Sequence, residues 1–180
     1  SSEIVNHAIN DNFNAFLDKE KIFTVNKNKG GHKIYHSSLF NHRNPLTSEE
    51  NYNYYVRASE RFNNLIKSEA SILFVCTVIQ EPQKRVSWAK GFDREIEIPN
   101  NQNIETFRSL IQNLKKRNSN CKFVFINQFT EYEPKIEFKI IDDTITWVDF
   151  YSKGKNSGVK YLDEYDDTIM KIIYKSFSQN

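Results

Sequence analysis

The chain has 180 residues, of which 38% are hydrophobic and 14% aromatic, so it can bury a core as a single domain over residues 1–180. Its 25 basic and 23 acidic side chains give a net charge of +2, without the basic excess of a nucleic-acid binder. The two cysteines form no CxxC pair, which argues against a disulfide scaffold and predicts a cytoplasmic protein. The sequence has no apolar run of 18 residues, so no membrane span is predicted.

The first third of the chain predicts two helices with a hairpin between them. Apolar residues recur at helical spacing over residues 2–17. Residues 22–25 and 33–36 are predicted to pair as short strands around the glycine-containing turn 26–31. A long helix is then predicted to end at about residue 66.

The start of the long helix is predicted from a capping box, with Thr47 as the N-cap and Glu50 as its partner. One side of this helix carries an apolar stripe, and another side carries Arg57 and Arg61 four residues apart. These two arginines are candidate binding residues for an acidic group of a substrate. The alternative is that they are solvated or paired with Glu60.

The middle of the chain predicts a strand, a helix and a second strand. Residues 71–79 form an unbroken, β-branched apolar run, which predicts a central strand buried on both faces. A loop follows with a short strand at residues 95–98, and a helix over residues 104–117 is capped by Asn103. Residues 122–129 form the second buried strand. This order predicts a right-handed crossover and a parallel pair, and hence an α/β fold.

The last third predicts two more strands and a closing helix. Residues 135–141 alternate polar and apolar side chains, and the turn at Asp142 leads into a strand over residues 144–151. A helix over residues 165–177 ends the chain. The whole prediction is an α/β domain with a mixed sheet, a parallel core pair and helices packed on it.

The carboxyl edge of the parallel pair is the expected place for a ligand. This edge is predicted to carry Thr77, Gln80, Asn127 and Gln128, of which Gln128 is a candidate substrate-binding residue. The sequence has no phosphate-binding loop and only 5 glycines, so no nucleotide or other cofactor is predicted.

The histidines and cysteines are weak candidates for chemistry by themselves. His32 and His36 would lie about 13 Å apart on a strand, too far for one zinc ion, so no metal site is predicted. Cys76 lies mid-strand, where a thiol is expected to be buried and inert, and Cys121 is expected to be more exposed but at the wrong end of the sheet. His42, in a polar loop before the long helix, is either a general base or a loop histidine bonded to backbone.

Several segments together resemble a bacterial and viral family of unknown function that is described as papain-like cysteine peptidases. The segments are FNAFLDKE, YHSSLFNHRNP, YNYYVRASERFNNLIKSE and SILFVCT, and the resemblance is strongest over residues 1–77. It implies that His42 is the general base, and the family's nucleophilic cysteine belongs to a strand and turn before the region matched here. We therefore expect that an N-terminal strand and turn are missing or that the nucleophile is lost. Asn127 would orient His42.

The sequence thus predicts two alternative functions. The first is a papain-like thiol hydrolase or transferase that acts on an unknown substrate, either a protein or a glycan-linked molecule. The second is a binding or scaffold domain without catalysis, for example in the assembly of surface polysaccharide or glycan. Neither prediction includes a membrane or nucleic-acid partner, and the oligomeric state is left open.

Overall fold

The computed structural model describes residues 2–79, 102–154 and 164–178. The helices are α1 (Ser2–Asn10), α2 (Asn14–Leu17), α3 (Glu49–Ile66), α4 (Ile104–Arg117) and α5 (Glu164–Ser178), with a short 3-10 helix at Lys19–Lys21. The strands are β1 (Ile22–Asn26), β2 (Lys29–His32), β3 (Ile72–Ile79), β4 (Cys121–Thr130), β5 (Lys135–Asp142) and β6 (Ile145–Ser152). The predicted strand at residues 95–98 and Gln80 lie outside the described residues. None of the described helices is long and apolar enough to cross a membrane.

The chain divides into two compact units, and the predicted α/β class with a mixed sheet is confirmed. Among the described residues, the first unit holds residues 2–70 and 102–119, and the second holds residues 71–79, 120–154 and 164–178. The single domain stays a prediction.

In the first unit, the predicted helix over residues 2–17 is wrong in its middle, because it is two helices. Asn12 (φ 55°) and Phe13 (φ 66°) have left-handed backbone conformations that end α1. The Asp11 carboxylate accepts a 2.7 Å hydrogen bond from the backbone N–H of Ala15, which starts α2. The N-cap of α2 is Phe13, and the Asp11 side chain ties the first turn of α2 to the end of the preceding turn.

The hairpin of β1 and β2 is confirmed, but its second strand comes four residues earlier than predicted. The sequence predicts Gly31 in the turn 26–31, but in the structure it belongs to β2 and pairs with Phe23 of β1. A Cβ at Gly31 would lie 2.3 Å from the Phe23 ring and 2.5 Å from the carbonyl oxygen of Ser37. The glycine is therefore used for close approach of ring and backbone rather than for a turn.

Of the two longer helices of this unit, α4 has its predicted N-cap and α3 begins one residue later than predicted. The N-cap of α3 is Ser48 rather than Thr47, since the Ser48 hydroxyl accepts the N–H of Asn51 at 3.2 Å. Asn103 caps α4 as predicted, in a reciprocal capping box with Thr106. The apolar stripe of α4 is buried, as expected: Phe107, Leu110, Ile111 and Leu114.

The second unit is a four-stranded sheet with the order β3-β4-β6-β5. The predicted parallel pair is confirmed, because β3 and β4 pair in parallel from Ile72↔Cys121 to Ile79↔Gln128. β4 also pairs in parallel with β6, and β5 pairs antiparallel with β6. The prediction that β3 is central is wrong: among the described strands it is an edge strand, and Val75 is 38% exposed.

Helix α5 packs on one face of this sheet. The residues that form this core are Val124, Ile126, Val148, Phe150, Met170 and Ile173. Because side chains alternate along a strand, the residues between them point to the opposite face. That opposite face carries a row of rings, in which Phe74 stacks on Phe123 and Phe125 stacks on Trp147.

Candidate functional site

The row of rings on the sheet face opposite α5 ends in a polar row. Asn127 on β4 lies beside Asp149 on β6, and Asp149 lies beside Glu137 on β5. In the next row towards the carboxyl ends of β4 and β6, Phe129 lies beside Tyr151 and Tyr151 beside Lys135. Directly opposed residues of paired strands project from the same face, so the two rows form one surface.

Asp149 is the centre of the polar row. It is 5% exposed, and its Oδ1 accepts hydrogen bonds of 2.7 Å from Asn127 Nδ2 and from Trp147 Nε1. Lys139 Nζ lies 2.5 Å from Asp149 Oδ2. We call these four residues the Asp149 cluster. Three strands supply it.

The Asp149 carboxylate is held ionised by its neighbours. Burial acts to raise the pKa of Asp149, but the hydrogen bonds from Lys139, Asn127 and Trp147 outweigh it and leave the pKa lower than usual. The same ion pair raises the pKa of Lys139. The site thus has a fixed negative charge inside the sheet face and a compensating ammonium at its surface.

The side-chain amide of Asn127 uses its nitrogen in a hydrogen bond, whereas its oxygen has no partner among the described residues. Its Nδ2 must face Asp149, because an ionised carboxylate only accepts hydrogen bonds. Its Oδ1 is buried and has no hydrogen-bond partner among the described residues. A buried acceptor without a partner costs about 1–3 kcal/mol. Asn127 Oδ1 is therefore an unused acceptor that is enclosed within the Asp149 cluster.

Three aromatic rings lie next to this polar row. The rings of Phe129 and Tyr151 stack with their centroids 4.5 Å apart, and Tyr132 meets both rings edge to face at 6.0 Å and 5.9 Å. Tyr132 is 56% exposed. Its backbone N–H donates to Ser152 O at 2.9 Å, which ties the turn after β4 to the end of β6. We call these three residues the aromatic platform.

The β5 side of this surface is open to solvent and electrically neutral. Lys135 Nζ lies 2.6 Å from Glu137 Oε1, and the Lys139 side chain is 58% exposed. The two lysines and the two carboxylates of Glu137 and Asp149 sum to zero charge. The surface therefore offers hydrogen-bonding groups without a net attraction for ions.

The residues predicted for substrate binding on α3 are exposed. Arg57 and Arg61 belong to the first unit and point to solvent, one helical turn apart. His42 also belongs to the first unit and is exposed in the loop before α3. Within the described part of the chain, its imidazole has no hydrogen-bond partner. The roles of these three residues stay predictions.

The two amides predicted at the edge of the sheet point to opposite faces. Gln128 is fully buried on the α5 face, where the hydroxyl of Thr77 lies 3.3 Å from that of Tyr174. Asn127 is on the other face and holds Asp149 rather than a histidine. The substrate-binding role of Gln128 and the orienting role of Asn127 towards His42 stay predictions.

Neither cysteine has the environment of a nucleophile. Burial raises the pKa of the Cys76 thiol to about 11, so this thiol is protonated at neutral pH. Cys121 is 1% exposed, and the prediction that it is the more exposed of the two is wrong. It is the first residue of β4.

Both ring nitrogens of His32 make hydrogen bonds within the first unit. Its Nε2 donates to Ala15 O at 2.9 Å, and its Nδ1 accepts from the N–H of Ile34 at 3.3 Å. No group of three or more His, Cys, Asp or Glu side chains suited to a metal ion occurs among the residues that the structure describes.

The residues of this surface that sequence reasoning missed are Asp149, Trp147, Lys139 and the platform. One signal was present: Asp149 is the only charged residue in the predicted strand 144–151 (TITWVDFY), and an acidic residue inside a strand rich in apolar residues requires partners when it is buried. Its partners could not be read from the sequence, because Asn127 is 22 residues away on another strand.

Comparison with known proteins finds no match for this chain: no family model, no curated protein and no solved structure matches it.

Proposed function

We propose that the chain is a binding module for neutral carbohydrate, without catalysis, and that its ligand lies on the surface formed by the aromatic platform and the Asp149 cluster. The observation that carries the proposal is the position of three contacting rings directly beside a buried, ordered set of polar groups. This is the alternative that the sequence left open beside a thiol hydrolase.

The chemistry of a pyranose ring fits both parts of this surface. One face of the ring presents C–H groups that gain from leaving water against an aromatic side chain, and Tyr132 offers such a side chain at the surface. The hydroxyls at its rim both donate and accept hydrogen bonds. The half-exposed Glu137 carboxylate would accept from one hydroxyl, and the exposed Lys139 ammonium would donate to another.

The charge of the surface supports a neutral ligand. Each of Lys135 and Lys139 is already paired with a carboxylate, so an acidic sugar would compete with Glu137 and Asp149 for them. A hydroxyl can share these groups without displacing an ion. We therefore expect hexoses and N-acetylhexosamines to bind in preference to uronic or sialic acids.

The decisive experiment is a glycan array that contains neutral and acidic glycans, followed by calorimetry with the glycans that bind. Tyr132→Ala should weaken binding about tenfold, equal to ~1.4 kcal/mol, because it removes one aromatic contact. The matched control is Tyr54→Ala, which removes a tyrosine of similar exposure (42%) from the first unit. An array without a neutral binder, or an equal loss in both variants, would overturn the proposal.

The papain-like hydrolase stays the competing prediction, and it requires a reactive cysteine. With the Cys76 pKa raised and Cys121 buried, a thiolate nucleophile would have to come from outside these 180 residues. A thiol-directed probe applied to the full-length product from mildly acidic to mildly alkaline pH tests it. Labelling of a cysteine other than these two, lost in His42→Ala, would favour the hydrolase.

A cytoplasmic location belongs with these proposals. Fractionation of cells that express the full-length product, with detection by antibody, would test it.

A further inference from the structure

Strand β5 is an edge of the described sheet, and it carries large apolar side chains that are open to solvent. It pairs with β6 alone, so its outer backbone groups have no strand partner among the described residues. Ile140 is 80% exposed and Phe138 is 55% exposed. An exposed edge strand with large apolar side chains is a ready template for another strand.

The sequence of β5 is complementary to itself in an antiparallel register centred on Phe138. With Phe138 opposite the Phe138 of a second copy, Ile136 lies opposite Ile140 and Glu137 lies opposite Lys139. All apolar side chains of this set then meet on one face, and the opposite charges meet on the other. Such cross-strand pairs each contribute about 0.2–1 kcal/mol.

The neighbouring registers are disfavoured by charge. Centring the pair on Glu137 would place Lys135 opposite Lys139, and centring it on Lys139 would bring the two Lys139 side chains together. Like charges directly opposite each other destabilise a strand pair. The lysines of this edge thus disfavour these two registers and are compatible with the one centred on Phe138.

We propose that the chain forms a symmetric dimer through antiparallel pairing of β5 with β5 of a second copy, centred on Phe138. The two-fold axis runs perpendicular to the sheet, so the two four-stranded sheets join into one of eight strands with equivalent faces on the same side. The Phe138 rings meet at the axis. Within each copy, the Phe138 ring also lies beside Phe177 of α5, with ring centroids 6.3 Å apart. This dimer does not depend on the carbohydrate proposal.

The contact is small and is expected to give a dimer whose fraction rises with protein concentration. Sedimentation velocity over a concentration series measures this directly. Phe138→Lys should abolish the dimer, because it sets two lysines opposite each other at the axis. The matched control is Ile172→Lys, which changes an equally exposed (57%) apolar residue of α5 and should leave the dimer intact. Circular dichroism confirms that both variants are folded.

Cross-linking tests the register independently. In Phe138→Cys the two new thiols face each other across the axis, within about 5.5 Å at Cβ, and a short bismaleimide should link them. In Ile140→Cys the equivalent thiols are four residues out of register, about 13 Å apart, and should link far less. A monomer at every concentration, or equal cross-linking of both variants and the unmodified chain, would overturn the proposal.

Discussion

Two clusters of polar side chains, one in each unit, are buried in opposite ways. In the first, His32 is 1% exposed, stacks on Tyr35 with centroids 4.5 Å apart, and uses both ring nitrogens in hydrogen bonds to backbone. Tyr35 in turn shares a 2.8 Å hydrogen bond with Nδ1 of His7. We call these three residues the His32 cluster. In the second unit, the Asp149 cluster buries a charge and leaves an acceptor of Asn127 unused.

The difference lies in what each cluster can still bind. The backbone partners of His32 require one N–H donor and one acceptor nitrogen, which is the neutral imidazole. Burial accordingly lowers the pKa of His32 and raises that of Tyr35. Both ring nitrogens of His32 are therefore occupied, and its role is structural. The Asp149 cluster presents the exposed ammonium of Lys139 beside its buried carboxylate, so it is the one suited to a ligand.

The largest expected effect breaks the Asp149 cluster. Asp149→Ala removes the common acceptor of Asn127 and Trp147 and leaves both donors buried, so we expect a loss of about 3 kcal/mol in the free energy of unfolding. Urea denaturation measures it. The control is Asp143→Ala in the exposed turn between β5 and β6, which should change stability by less than about 0.5 kcal/mol. Similar losses in the two variants would contradict a central role for Asp149.

A smaller effect tests the packing that holds the His32 cluster. Gly31→Ala places a Cβ 2.5 Å from the backbone oxygen of Ser37 and should lose about 2 kcal/mol, since backbone has to move. Gly30→Ala is the matched control. Its Cβ would meet Asn44 Oδ1 at 3.1 Å, which a side chain can relieve, and the loss should be smaller. Thermal unfolding of both variants measures the difference, and equal losses would refute the close approach at Gly31.

The smallest expected effect is on the pH dependence of stability, where His32 and Asp149 contribute in different pH ranges. With the pKa of His32 lowered, the unfolded chain binds a proton below about pH 6.5 that the folded chain refuses, so the free energy of unfolding falls by at most ~1.4 kcal/mol per pH unit as the pH drops. Asp149 has a lowered pKa and stabilises the fold down to about pH 3.9, below which its contribution is lost as the pH falls through the folded value.

Denaturation at a series of pH values, with His32→Gln as the comparison, tests this separation. The glutamine keeps a donor for Ala15 O and does not titrate, so the decline that begins near pH 6.5 should shrink in the variant, while the loss at acidic pH remains. An unchanged profile between pH 6.5 and pH 4 would show that His32 is not the group responsible.

The sequence predicted the elements better than their arrangement. Helix α4 begins after Asn103 as expected, because its capping box and apolar stripe are local signals. The parallel pair of β3 and β4 followed from a strand, a helix and a strand in that order. The break at Phe13 and the strand position of Gly31 were missed, because a cap within a periodic run and a close approach depend on neighbours outside the local pattern.

By itself, the sequence determined the α/β class, the run of strands and helices and the alternation that sets Asn127 and Phe129 on one face of their strand, since these depend on periods of 2 and 3.6 residues. Only the tertiary structure decided that β6 inserts between β4 and β5, with β3 at the other edge. That strand order brings Asn127, Asp149 and Lys139 together from three strands, because hydrogen bonding between strands joins residues far apart in the chain. The same order leaves β5 at an edge, open to a second copy.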